Sequence, residues 1–214
     1  MIVVVGSLGL RGSVDEPVPD GLAAEIARAA AAAGVRVELI SKAGDDAAGD
    51  AVLIALTRAG VGHVATLRDA SHKTPVRSAP DEPMDPADEA ETSDRADPAD
   101  PADPADADPA LDAADVELAL RYLTDFTVVV VAHPSLALLG EAVKAAAWSS
   151  AKLVVVTSPE ADIPTGVPAD ALIVAAAADD AGGVGARIGR YAAALSRGDD
   201  AAAAYRDLTA APSA

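Results

Sequence analysis

The chain has 214 residues and a net charge of −18, and 51% of its residues are hydrophobic although only 2% are aromatic. One domain of this length can bury a core, which must here be built from Ala, Val, Leu and Ile. The absence of cysteine excludes disulfides, thiolate metal sites and a cysteine nucleophile. Three scattered histidines (His63, His72 and His133) cannot form a histidine-rich metal cluster.

The acidic charge is concentrated in one segment. Residues 78–115 contain 14 of the 34 acidic residues but only one basic residue, so the rest of the chain is mildly acidic. Binding to nucleic acid requires a basic face, and this composition argues against it. The first apolar run, Ile2–Val5, ends at Gly6 and no apolar run is long enough to span a bilayer. We therefore expect a first β-strand rather than a signal peptide, no membrane association and a cytoplasmic location.

Apolar runs rich in Val, Ile and Leu alternate along the chain with Ala-rich runs. Continuous apolar runs are typical of strands that are buried on both faces of a sheet. The predicted strands are Ile2–Val5, Val35–Ile40, His63–Leu67, Thr127–Ala132, Leu153–Thr157 and Ala171–Ala175. The predicted helices are Gly21–Ala33, Ala47–Ala59, Asp115–Asp125, Leu136–Trp148, Val184–Arg197 and Asp199–Ala210. This alternation predicts an α/β fold, a three-layer sandwich with five to six mainly parallel strands.

The helix ends carry recognisable signals. Asp20 and Asp46 are predicted to cap the first two helices, and Gly34 and Gly60 to end them. Ser135 is predicted to cap the helix that follows His133 and Pro134. Asp125, His133 and Ser135 are close in sequence, but no feature gives them the geometry of a catalytic triad.

Residues 78–114 form an acidic insert between the two halves of this domain, residues 1–77 and 115–214. The insert contains 7 of the 15 prolines and repeats Asp-Pro-Ala from Asp97 to Ala110. Proline at this spacing blocks helix and sheet, and the high charge opposes collapse, so we expect an extended, disordered segment. It is either a tolerated surface loop or an acidic docking or solubilising segment.

A glycine-rich turn follows the first strand, with glycines at Gly6, Gly9 and Gly12. A dinucleotide-binding turn must lead directly into a helix whose N-terminus binds the pyrophosphate. Pro17 and Pro19 intervene here, so we interpret the glycines as a turn at a strand end rather than an NAD site.

The second strand leads into the sequence Gly44-x-Asp46-x-x-Gly49 and a helix that ends in Leu-x-x-x-Gly-Val. This stretch resembles the first signature of the PfkB family of ribokinase-like carbohydrate kinases. Three further stretches resemble the same family: the helix and glycine of residues 21–34, the sequence His72-Lys73-Thr74-Pro75, and residues 152–174. The resemblance implies a parallel sheet with helices on both faces, a small β lid over the sugar, and transfer of the γ-phosphate of ATP to a sugar hydroxyl.

The resemblance also shows where the substrate pocket is altered. Arg11 stands where the family has its sugar-binding Asp, and Glu25 stands where it has a sugar-contacting Asn. Of the family's paired glycines, at positions 20 and 21, only Gly21 is kept. Nine residues separate Arg11 from Gly21, which predicts that the lid strands are lost.

The family's catalytic and magnesium-linked positions are altered as well. Its Asn-x-x-Glu falls on Ala175 and Ala178. Its Gly-Ala-Gly-Asp, whose Asp is the base, is matched by Gly183-Val184-Gly185-Ala186, in which Gly183 and Gly185 could still bind an anion. On a second alignment, in which residues 182–197 follow the Asn-x-x-Glu position, the catalytic motif is absent altogether. Both alignments predict that no catalytic residue and no metal ligand remains.

Three functional hypotheses follow. The leading one is a degenerate ribokinase-like protein that lacks sugar kinase activity and retains weak nucleotide or anion binding. The second is an active, divergent sugar or nucleoside kinase that uses ATP and Mg²⁺, completed by another subunit. The third is an acidic interaction module carried by an α/β scaffold. The partner could be a small molecule, another protein or a second copy of the chain in a homodimer.

Overall fold

The structure is a computed structural model, and it describes residues 1–78, 109–161, 165–176 and 183–209. Its strands are β1 (Ile2–Val5), β2 (Gly9–Arg11), β3 (Val18–Asp20), β4 (Val37–Gly44), β5 (Val61–Gly62), β6 (Thr66–Asp69), β7 (Val76–Arg77), β8 (Val128–Ala132), β9 (Lys152–Thr157) and β10 (Leu172–Ala175). Its helices are α1 (Leu22–Ala32), α2 (Ala47–Arg58), α3 (Ala113–Tyr122), α4 (Leu136–Ser149), α5 (Val184–Arg197) and α6 (Ala201–Thr209).

A seven-stranded parallel sheet forms the centre of the molecule. Its strand order is β10-β9-β8-β1-β4-β5, and β6 also pairs with β4. Each of these pairings is parallel. Val and Ile side chains suit strands that are covered on both faces, and all four residues of β1 are fully buried.

Helices cover both faces of this sheet. Alternate residues of a strand point to opposite faces, so Ile2 and Val4 belong to one apolar cluster and Val3 and Val5 to another. The first cluster includes residues of α1, α2, α5 and α6, and the second includes residues of α3 and α4. The predicted three-layer α/β sandwich with a mainly parallel sheet is therefore confirmed. None of the described helices is both long and apolar enough to cross a bilayer.

The strand boundaries differ from the prediction in the region of β4 to β6. The strand predicted to end at Ile40 continues to Gly44, because Ser41 to Gly44 pair with β6. The single strand predicted at 63–67 is instead two short strands, β5 and β6. The prediction of a disordered acidic insert at 78–114 rests mainly on residues 79–108, which lie outside the described residues.

A second, smaller sheet is formed by residues 9–20 and 76–77, where the sequence predicts that the lid strands are lost. β2 and β3 form an antiparallel hairpin in this stretch, and β7 pairs in parallel with β2. The order is β3-β2-β7, and the strands have three, three and two residues. Strands this short leave room for a six-residue loop, residues 12–17, between β2 and β3. We call this unit the small sheet.

Candidate functional site

The altered positions of the resemblance lie around the carboxyl edge of the parallel sheet. The loops that follow parallel strands meet at this edge, which is where open α/β sheets bind ligands. Strands β2 and β3 of the small sheet belong to the connection from β1 to α1, Gly44 ends β4, and Ala175 ends β10. Glu25, in the first turn of α1, lies against Gly185 at the start of α5. The structure therefore brings most of the predicted site residues to one edge.

The Gly44-x-Asp46-x-x-Gly49 motif forms a compact junction with Thr74. Asp46 caps α2 as predicted, since its Oδ1 accepts a hydrogen bond of 2.7 Å from the Gly49 amide. The Thr74 hydroxyl donates to Asp46 Oδ1 and the Thr74 amide donates to Oδ2, both at 2.8 Å. The Gly44 amide donates to Thr74 Oγ1 at 2.9 Å. Because Thr74 is only 4% exposed, these bonds are protected from water.

The two glycines of the motif are needed for this close approach. A Cβ on Gly44 would lie 2.5 Å from the Thr74 amide nitrogen, and one on Gly49 would lie 2.6 Å from Arg68 Nη1. The Arg68 guanidinium also donates to Asp45 and Asp50 at 3.1 and 2.9 Å, which ties β6 to the start of α2. The motif is thus a structural junction that fixes the segment entering β7.

The Asp46 carboxylate is held in its ionised form. Its partial burial acts to raise the pKa, but the amide bonds from Gly49 and Thr74, the Thr74 hydroxyl and the Arg68 charge together lower the pKa below its ordinary value of 3.8. Both carboxylate oxygens are engaged within the protein. A carboxylate with this environment serves to anchor the fold rather than to move protons.

Asp20 does not cap α1, which corrects the prediction. The N-cap of α1 is Gly21, which has a φ of 99° and makes no side-chain cap. The Asp20 carboxylate is instead held by the Arg11 guanidinium, and its Oδ2 lies 3.5 Å from Arg77 Nε. Asp20 is only 4% exposed, and a buried carboxylate requires such partners. The sequence did not identify Arg77, because the contact depends on the pairing of β2 with β7.

Glu25 and the Gly183–Ala186 turn are in contact. Gly183 is the N-cap residue of α5, so the turn opens into a helix as expected. A Cβ on Gly185 would lie only 2.6 Å from Glu25 Oε2, so the carboxyl group packs directly against the backbone of this first turn. The positive end of a helix favours a carboxylate at this position. Ala186, in the same turn, has no group that can accept a proton.

His133 links the ends of two strands at the same edge. It has a φ of 48°, and its Nε2 lies 2.9 Å from the Ala176 carbonyl oxygen that follows β10. Ser135 caps α4 through a bond of 3.3 Å from the Leu138 amide, as predicted. Ala175 ends β10 as an exposed residue, and Ala178 lies outside the described residues.

The described turn at the start of α5 does not fit the phosphates of ATP. No group of three or more His, Asp or Glu side chains among the described residues could hold a metal ion. The Glu25 carboxyl group already occupies the space beside Gly185, where an anion would approach.

No model of a protein family matches the chain, and no curated protein matches it either. Solved structures do resemble it. A putative ribokinase II from E. coli has a TM-score of 0.62 and 14% identity, with 96% of this chain and 89% of that one covered. A PfkB protein from Polaromonas sp. JS666 has a TM-score of 0.51 and 15% identity, with 72% and 54% covered.

An uncharacterised sugar kinase from Pyrococcus horikoshii has a TM-score of 0.48 and 19% identity, with 72% of this chain and 52% of that one covered. The chain thus spans about half of the length of this kinase and of the Polaromonas protein. At identities this low, the similarity establishes the fold alone. The chain has the ribokinase-like α/β fold, as its sequence predicted.

Proposed function

We propose that the chain is a degenerate member of the PfkB family that binds a small molecule at the carboxyl edge and does not phosphorylate it. The observation that carries this proposal is the turn at the start of α5. Ala186 stands where the family's base would be, and the Glu25 carboxyl group packs against Gly185, where a phosphate would approach.

The loss of activity follows from the charges and groups at this turn. A positioned general base contributes about 10² to 10⁴ in rate, and Ala186 cannot act as one. Phosphoryl transfer also depends on cations that neutralise the charge of the transferring group. The Glu25 carboxyl group occupies the space beside Gly185 instead. An anion can bind the N-terminus of α5 only by displacing the Glu25 carboxyl group, so nucleotide or anion binding there is weak.

A phosphotransfer assay tests the proposal. The full chain is incubated with ATP, Mg²⁺ and ribose, fructose or adenosine, and ADP and the sugar phosphate are both measured. We expect no turnover above the background ATPase of an equally purified Gly185→Val variant. Turnover at about 1 to 100 s⁻¹, the usual range of kinases, would overturn the proposal.

A charge change at Glu25 tests whether its carboxyl group, which packs against Gly185, competes with an anion at the start of α5. Glu25→Gln removes the negative charge and keeps the shape of the side chain, so we expect tighter binding of inorganic phosphate or ATP in a calorimetric titration. Glu117→Gln is the matched control, because Glu117 is exposed on α3, which covers the other face of the sheet. Equal binding by the wild type and both variants would show that Glu25 does not compete with an anion at this turn.

A further inference from the structure

Two arginines lie side by side on one face of the small sheet. Arg11 of β2 pairs directly with Arg77 of β7, and Asp20 of β3 pairs with Gly9, two residues before Arg11. Paired residues, and residues two apart on one strand, share a face of a sheet. The register therefore places Arg11, Arg77 and Asp20 on the same face, and the contacts of Asp20 with both arginines agree with this placement.

The three side chains differ strongly in exposure. The Asp20 side chain is 4% exposed, whereas those of Arg11 and Arg77 are 46% and 61% exposed. Two positive charges at directly paired positions repel, and one carboxylate neutralises only one of them. Each guanidinium has five N–H donors, and its contact with Asp20 uses fewer than half of them. The cluster thus presents a net positive charge and several donors above a buried carboxylate.

The backbone around this cluster is fixed by other contacts. The Leu10 amide donates to the Pro75 carbonyl at 2.8 Å, and the Gly12 amide donates to the Arg77 carbonyl at 2.9 Å. Thr74, which precedes this segment, is anchored to Asp46. Arg77 is therefore held beside Arg11 before any ligand binds, and a preorganised pair loses less entropy on binding.

We propose that Arg11 and Arg77 form a binding site for the anionic group, a carboxylate or a phosphate, of a small molecule at the carboxyl edge of the sheet. Guanidinium groups match the planar, bidentate geometry of these anions. The small net positive charge favours a single small anionic group over nucleic acid, because nucleic acid would need an extended basic face. This inference rests on the proposed function, in which the carboxyl edge binds a ligand without phosphorylating it.

Calorimetric titrations of the full chain without ATP test the site. The probes are gluconate, glucose 6-phosphate and glucose, which share a six-carbon skeleton and differ in charge. We expect saturable binding of gluconate, of glucose 6-phosphate or of both, and none of glucose at the same concentration. The anion that binds with the higher affinity shows whether the site prefers a carboxylate or a phosphate. Binding of glucose as tight as that of the anions, or no binding of any probe, would overturn the inference.

Variants locate the binding on these residues. Arg11→Gln and Arg77→Gln should each weaken anion binding by about 10- to 100-fold, the effect of losing a hydrogen bond to a charged group. Arg58→Gln is the matched control at the far end of α2, and it should bind as the wild type does. Unchanged affinity in both Arg11→Gln and Arg77→Gln would also overturn the inference.

Asp20→Asn distinguishes a binding role of the arginines from a structural one. It keeps both guanidiniums and removes the internal carboxylate that competes for them, so a folded Asp20→Asn variant should bind the anion more tightly. If the arginines served only to neutralise Asp20, the same variant would show no gain, and the inference would fail. Sugar phosphorylation in the kinase assay would overturn the proposed function. It would not contradict a preference of Arg11 and Arg77 for anionic over neutral ligands.

Discussion

Asp46 joins three segments that are far apart in the sequence: the end of β4, the start of α2 and the residues before β7. Its carboxylate accepts hydrogen bonds from Gly49 and from two groups of Thr74. The Thr74 hydroxyl in turn accepts from Gly44. A sequence pattern that accompanies sugar kinases therefore has, in this chain, a structural explanation that needs no substrate.

The lowered pKa of Asp46 gives stability that is lost in acid. Because the folded carboxyl holds its proton less tightly than the unfolded one, stability is complete above the ordinary pKa of about 3.8 and falls as the pH drops through the lower folded value. Asp46→Asn should destabilise the fold at neutral pH by about 1 to 3 kcal/mol, since an NH2 group replaces the oxygen that accepts from the Thr74 amide and leaves that donor unpaired. Its free energy of unfolding should then decline less steeply below pH 4, as measured by urea denaturation across pH.

The control for this prediction is Asp15→Asn, at an exposed position in the loop between β2 and β3. It should follow the acid dependence of the wild type. An Asp46→Asn variant with the same steep acid decline as the wild type would show that the carboxylate is not the source of the pH dependence.

At the scale of elements, α1 and α5 pack closely through small side chains. A Cβ on Gly189 of α5 would lie 2.5 Å from the Ile26 carbonyl oxygen and 2.7 Å from the Ala29 Cβ. A Cβ on Gly140 of α4, by contrast, would meet no atom within 4 Å. Mutation of each glycine to alanine should therefore have opposite effects on the stability of the fold, and Gly140 serves as the control for Gly189.

We expect Gly189→Ala to destabilise the fold by about 1 to 3 kcal/mol, because the backbone of α1 must move to admit the methyl group. Gly140→Ala should instead be neutral or stabilise by up to about 1 kcal/mol, since alanine is the better helix former. Thermal unfolding of both variants measures the difference. Equal effects of the two mutations would mean that α1 and α5 are not in close contact in solution.

The sequence predicts most of the long elements well and the short ones poorly, although β4 begins two residues later and ends four residues later than predicted. β1 and α5 have the predicted boundaries, because a continuous apolar run ended by Gly6 and an Ala-rich periodic run are strong local signals. β5 and β7 have two residues each, too few for any periodic pattern. The Arg11–Asp20–Arg77 cluster was missed for the same reason, since it exists only once β7 pairs with β2. The contact of Glu25 with Gly185 likewise depends on tertiary packing.

At the scale of the whole molecule, charge is distributed unevenly in a way that bears on the proposed anion site. Residues 79–108 contain 12 acidic residues and one basic residue. This segment begins two residues after Arg77, so its charge is covalently tethered near the arginine pair. A tethered negative charge lowers the local concentration of small anions over a distance set by ionic strength.

We therefore expect the acidic segment to weaken anion binding at low salt. In a variant whose 12 acidic residues in 79–108 are replaced by their amides, with every proline kept, affinity for gluconate or glucose 6-phosphate should rise several-fold at an ionic strength of about 0.01 M, where the Debye length is about 30 Å. At about 1 M, where that length is about 3 Å, the variant and the wild type should bind equally. An increase that persists at high salt would point to direct contact between the segment and the arginines, and no increase at low salt would show that its charge does not reach the site.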